Sequence, residues 1–180
     1  MIMKIPDFKH VGTLNDIWIY LMLRKAENPI TKTATISIKT LAEQSGMSLN
    51  TIRTIIVRLE AIGWINVVRR TTQAHIYIFP INIEYLYEWP DIYFDIDQLE
   101  PELKTYLFCL YNLATESKDG VRILPWNFNI VEHLNISKYK SNKFNSILKK
   151  HEILIKTYQI KDEQIETIYL FNLNNALNEK

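Results

Sequence analysis

Residues 36–65 read ISIKTLAEQSGMSLNTIRTIIVRLEAIGWI, and this stretch decides the fold. Ser37 is placed to cap a helix over Ile38 to Ser45, because its hydroxyl can accept an orphan N–H of the first turn. Gly46 follows where a left-handed residue is required. Ser48 caps a second helix, Leu49 to Ile62, and Gly63 ends it. Two such helices cross tightly only if the first carries a small residue midway, and Ala42 supplies it. The second helix must bury one stripe, formed by Ile52, Ile55 or Ile56, Leu59 and Ile62 at helical spacing.

Upstream, Thr13-Leu14-Asn15-Asp16 is a variant of the capping box. It precedes Ile17, Tyr20, Leu21 and Leu23, an amphipathic pattern that predicts a helix ending near Asn28-Pro29. Thr33 to Ser37 reads as a short strand. Downstream, Trp64 to Arg70 and His75 to Phe79 read as two strands joined by Thr71 to Ala74 and stopped by Pro80. The order is helix, strand, helix, helix, strand, strand.

The pattern then recurs. Residues 41–65 align without a gap to residues 130–154, IVEHLNISKYKSNKFNSILKKHEIL, at a constant offset of 89. DIWIYLMLRKA (16–26) is echoed by KTYLFCLYNLA (104–114), and HIYIF (75–79) by TIYLF (167–171). The spacing exceeds the roughly 20–50 residues of a solenoid repeat and suits one small domain. In the second copy, Pro101 opens a helix, Val121 to Leu124 is a strand, and Phe128 to Leu134 is a helix. Ser137 caps a third helix to about His151, and Ile153 to Ile160 and Gln164 to Leu173 form a hairpin. The expected fold class is α+β, mostly helical: one domain at 1–80, a second at 100–180, and a connector at 81–99 that is partly strand or short helix.

Asn135 stands for Gly46, a tolerable exchange because asparagine visits the left-handed region. Val131 stands for Ala42, which should open the helix crossing or change its angle. Ser141 stands for the buried Ile52, so the third helix of this copy is expected to start later or shift register.

Net charge is only +1, but its distribution is uneven. Residues 1–80 carry ten Lys/Arg and five Asp/Glu; residues 81–100 carry six Asp/Glu and no Lys/Arg; residues 133–161 hold seven lysines against Glu152. Two basic regions flank an acidic one. Hydrophobic residues are 47% and charged residues 23%, the balance of a folded soluble protein. The apolar run Ile17 to Leu23 is far short of the ~20 residues that span a bilayer. Pro6, Asp7, Lys9 and His10 sit where the apolar core of a signal peptide would be, so a cytoplasmic chain without membrane contact is expected.

The exposed face of the helix after Ser48 would show Ser48, Asn50, Thr51, Arg53, Thr54 and, further along, Arg58, with no acid before Glu60. These groups donate and accept hydrogen bonds as a helix in a major groove must: arginine pairs with guanine and asparagine with adenine. The hairpin adds Arg69 and Arg70, suited to phosphate or minor-groove contact. The second copy shows Lys138, Lys140, Asn142 and Lys143, with Asn145, Lys149 and Lys150 beyond. Its lysines suit phosphate attraction more than base reading. The first copy is therefore expected to specify and the second to anchor, with dimerisation an alternative task for the second.

The stretch 36–65, with the basic hairpin after it, resembles the winged-helix DNA-binding domains of bacterial regulators and replication proteins. Two such domains in one short chain are similar to the tandem winged-helix initiators of plasmids and phages. The resemblance implies double-stranded DNA as partner, in replication initiation or transcriptional regulation. A homodimer and other replication or transcription proteins are further partners compatible with it. Winged helices also serve as protein-interaction scaffolds, and the near-neutral charge leaves that class open.

Nothing points to an enzyme, a cofactor or a metal. Gly12, Gly46, Gly63 and Gly120 are isolated, so no phosphate loop forms. His10, His75, His133 and His151 lack ligand spacing. The single cysteine, Cys109, matches Leu21 and belongs to the core. Asp91, Asp95 and Asp97 read as a solvated connector. Its aromatics Tyr85, Tyr87, Trp89, Tyr93 and Phe94 read as packing residues, because the interleaved acids would repel phosphate.

Overall fold

The computed structural model describes residues 2–4, 12–71, 73–80, 86–88, 99–116, 122–125, 130–161 and 164–172. The chain divides into two compact units, one of Met3–Leu86 and one of Tyr87–Lys180 together with Met1–Ile2. Strands β1 (Ile2–Lys4) and β6 (Leu86–Glu88) form a two-stranded ribbon. Within 81–99, only that β6 backbone and Leu99 fall among the described residues; the readings of the connector's aromatic and acidic side chains lie outside them.

The first unit begins with α1 (Leu14–Lys25). Thr13 caps it, its hydroxyl accepting the Asp16 N–H at 3.3 Å and donating to Asp16 Oδ2 at 2.9 Å. The sequence predicts an amphipathic helix, but α1 is enclosed on nearly every side. Trp18, Ile19 and Met22 are buried along with Ile17, Tyr20, Leu21 and Leu23. The reason is that α2, α3 and β3 all pack on it. Tyr20 meets Trp64 edge-on at 5.0 Å and Phe79 at 5.9 Å. The Arg24 guanidinium lies 4.5 Å over the Phe79 ring and pairs with Glu27 at 2.9 Å.

After α1 the chain turns through β2 (Glu27–Asn28) into β3 (Thr33–Ile36). Asn28 Oδ1 accepts the N–H groups of Ile30 and Thr31, and Lys32 takes φ 55°. This Asx-type turn closes a small hairpin. The sequence reading saw only a helix stop at Asn28-Pro29. Helices α2 (Ile38–Ser45) and α3 (Leu49–Ala61) follow, then β4 (Asn66–Val68) and β5 (His75–Ile78). β4 is shorter than the expected strand, because Trp64 and Ile65 turn into the core ahead of it. The antiparallel sheet runs β2-β3-β5-β4, with Tyr77 opposite both Ala34 and Val67.

The second unit has α4 (Pro101–Leu113), β7 (Thr115–Glu116), β8 (Arg122–Pro125), α5 (Ile130–Leu134), α6 (Lys138–Lys150), β9 (Leu154–Lys161) and β10 (Gln164–Phe171). Its antiparallel sheet runs β7-β8-β10-β9, the same order of elements as in the first unit. Backbone punctuation recurs too. Asn135 takes φ 49° where Gly46 takes 69°, and Glu152 takes φ 55° where Gly63 takes 76°. Cys109 is fully buried, as is Leu21, and burial pushes its thiol pKa up.

One expectation is corrected here. Ser141 does not shift the register of α6: Ser137 caps the helix as Ser48 caps α3, and Ser141 is buried where Ile52 is. Its hydroxyl lies 3.0 Å from that of Tyr106 on α4, which also donates to Asn145 Oδ1 at 3.0 Å. A buried polar group is tolerated when it is hydrogen-bonded, so no slip is needed. Asn145, read from sequence as part of the exposed face, belongs instead to this inner network. Burial pushes the Tyr106 phenol pKa up to about 12.

Candidate nucleic-acid interface

Helix α3 is set by three local devices. Ala42 is buried and lets α2 and α3 pack together. Between them, Ser45 is buried: its hydroxyl donates to Ala42 O at 3.4 Å and accepts the Met47 N–H at 3.3 Å. Sequence reasoning missed Ser45, whose only signal is a polar residue just before the left-handed Gly46. Ser48 then caps α3 by accepting the Thr51 N–H at 3.1 Å.

Ile52, Ile55, Ile56 and Leu59 turn inward. Each such side chain contributes roughly 1.5–3 kcal/mol when fully buried. Ile62, expected to close the stripe, is instead 48% exposed, because it is the helix C-cap and lies past the contact.

The outward face carries Ser48, Asn50, Thr51, Arg53 and Thr54, all exposed. Arg53 Nη1 donates to Asn50 Oδ1 at 2.9 Å, which holds the two side chains together on one helical turn. The Thr54 hydroxyl donates back to Asn50 O at 3.0 Å. The structure therefore gathers five of the predicted residues on one acid-free surface.

Arg58 does not join them. Its Nε and Nη2 donate to Asp16 Oδ1 at 3.1 and 2.5 Å, tying α3 to the first turn of α1. Asp16 is only 2% exposed, so Arg58 neutralises a buried carboxylate. Arg69, on the chain after β4, donates through Nη1 and Nη2 to the two oxygens of Glu60, which also accepts the Val67 N–H at 3.3 Å. The Arg69 hydrogen bonds hold the Glu60 carboxyl below its ordinary pKa range. Arg70 donates to Gln73 Oε1 at 3.0 Å, and its N–H to His75 Nδ1 at 3.3 Å. Both hairpin arginines are exposed, but each is already oriented by a neighbour.

On α6, Lys138, Asn142 and Lys143 are exposed. Lys140 is not free: its Nζ pairs with Glu102 of α4 at 2.7 Å and lies 5.7 Å over the Phe144 ring. Lys149 lies 5.0 Å over the Tyr169 ring. Among the described residues, no three His, Cys, Asp or Glu side chains converge to hold a metal ion, and no helix is long and apolar enough to cross a membrane.

Residues 30–66 match the family model described as winged helix-turn-helix DNA-binding. The match runs from the turn before β3 to the start of β4 and takes in both α2 and α3. No curated protein matches the chain. The first unit thus contains a segment, spanning α2 and α3, that is similar to winged helix-turn-helix DNA-binding domains.

Proposed function

We propose that this chain is a non-enzymatic, sequence-specific double-stranded DNA-binding protein built from two tandem winged-helix domains, 1–80 and 100–180, joined by the connector 81–99. It acts in replication initiation or transcriptional regulation of a plasmid, phage or similar element. The observation that carries the reading is the exposed, acid-free face Ser48, Asn50, Thr51, Arg53 and Thr54 on a rigidly capped helix, within the segment that matches the DNA-binding family. Support for two domains comes from the common order of elements and strands in both units, and from the shared caps and left-handed turns. Two helices of this kind in one chain suit neighbouring stretches of groove about one helical turn (~34 Å) apart. The cytoplasm is the compartment that fits this role.

A second reading, a protein-interaction scaffold with weak DNA affinity, is favoured by one observation. Val57, Ile62 and Val68 of the first unit are 57%, 48% and 45% exposed, apolar side chains that a protein partner would cover.

Fluorescence anisotropy of the full chain against the DNA upstream of its own gene, over a salt series, separates the two. The DNA reading expects binding that falls steeply with salt as phosphate counterions are released. Absence of binding even at low salt defeats it and favours the scaffold.

A further inference from the structure

The two capping serines, Ser48 and Ser137, provide a common origin for comparing α3 with α6. Both accept the N–H of the residue three places on, at 3.1 and 3.2 Å, so the two helices start with the same geometry. Counted from these caps, Asn50, Arg53 and Thr54 of α3 correspond to Tyr139, Asn142 and Lys143 of α6. All six are exposed, and Tyr139 is 80% exposed. Helix α6 contains no acidic residue.

Lys140, a basis for expecting α6 to be a phosphate anchor, is held by Glu102. What remains on the outer face of its first two turns is Lys138, Tyr139, Asn142 and Lys143. The flanking lysines attract a polyanion, but a lysine at a phosphate carries no sequence information. The two residues between them do. A side-chain amide forms two hydrogen bonds with adenine N6 and N7, and an apolar side chain makes contact with the thymine methyl group. Tyr139 and Asn142 are three residues apart and so are neighbours on one helical face. Adenine N7/N6 and the thymine methyl lie on the same major-groove edge of A·T pairs.

We propose that α6 is itself a base reader. The Tyr139 ring packs on a thymine methyl and the Asn142 amide bonds an adenine, so the second unit selects an A·T-containing step. Arg53 in the first unit suits guanine. The full site is then asymmetric in chemistry, with one subsite for each unit. This inference rests on the reading that the chain binds duplex DNA.

The test selects binders of the full chain from a pool of randomised duplexes. Anisotropy titrations then use the selected duplex and copies with deoxyuridine in place of each thymine in turn, which removes only the methyl group. Asn142→Ala is expected to weaken binding roughly ten- to a hundredfold. One thymine-to-uridine exchange should weaken the wild type about threefold to fivefold, the effect of losing one buried methyl. The same exchange should leave Tyr139→Ala unaffected. Both side chains are exposed, so unchanged circular dichroism and melting should accompany these losses. If both variants select the same duplexes with wild-type affinity, and no uridine exchange separates Tyr139→Ala from the wild type, the inference is overturned while DNA binding stands. If the wild type enriches no duplex, the DNA reading itself falls, and this inference with it.

Discussion

Helices α3 and α6 each have 13 residues, a serine cap, and a left-handed residue fifteen places after that cap, yet they are anchored by different means. Helix α3 buries four aliphatic side chains, Ile52, Ile55, Ile56 and Leu59, and adds the Arg58–Asp16 ion pair. Helix α6 buries only Phe144 and Leu148 with Ser141, and replaces aliphatic contact by the Tyr106–Ser141–Asn145 network. One backbone frame thus accepts an apolar or a hydrogen-bonded seam, provided the polar groups find partners. The outward faces diverge independently of either seam. The buried seam and the outward face are therefore separable in this chain, and each can be perturbed alone.

The largest effect is expected from Arg58→Ala, which leaves the buried Asp16 carboxylate without its guanidinium. It should destabilise the first unit by about 3 kcal/mol in urea denaturation. A neutral result would show that the pair does not anchor α3. Next comes the α6 seam. Tyr106→Phe should cost about 1–2 kcal/mol, because the Ser141 hydroxyl loses its partner. Adding Ser141→Ala should cost little more, so the two effects are less than additive. Full additivity would mean that the two hydroxyls do not act together.

The paired turns give a smaller contrast. Gly46→Ala should cost about 1–2 kcal/mol from its positive φ alone, since a Cβ there meets no neighbour within 4 Å. Asn135→Ala should cost less, because the native residue already carries a Cβ. The smallest effect lies in Glu60. Its folded pKa is depressed by Arg69, so its contribution is present above the ordinary carboxylate value of 4.5 and is lost as pH falls through the lower folded value. Arg69→Ala should return the Glu60 titration, followed by NMR, to the ordinary range.

Local punctuation was legible in the sequence. Ser37, Gly46, Ser48, Gly63 and Ser137 act through backbone groups within a few residues, so each could be read in place. The stripe Ile52, Ile55, Ile56 and Leu59 was legible by its period. Strands β2 and β7 were missed, because two residues carry no periodicity. The ion pairs were not legible for a different reason. Arg58 finds Asp16 across 42 residues, and Lys140 finds Glu102 across two helices; nothing local distinguishes them from Arg53 or Lys143. Ser141 looked like a defect in a buried stripe until Tyr106, 35 residues away, supplied its partner.

The most direct test of the central claim, that the outward face of α3 reads sequence on duplex DNA, is an anisotropy titration of Arg53→Ala. A selected duplex and a scrambled one are compared at two salt concentrations. The variant should lose about 1–3 kcal/mol on the selected duplex only, with its salt dependence unchanged. Equal weakening on both duplexes together with a shallower salt slope would contradict the claim and make Arg53 a phosphate contact.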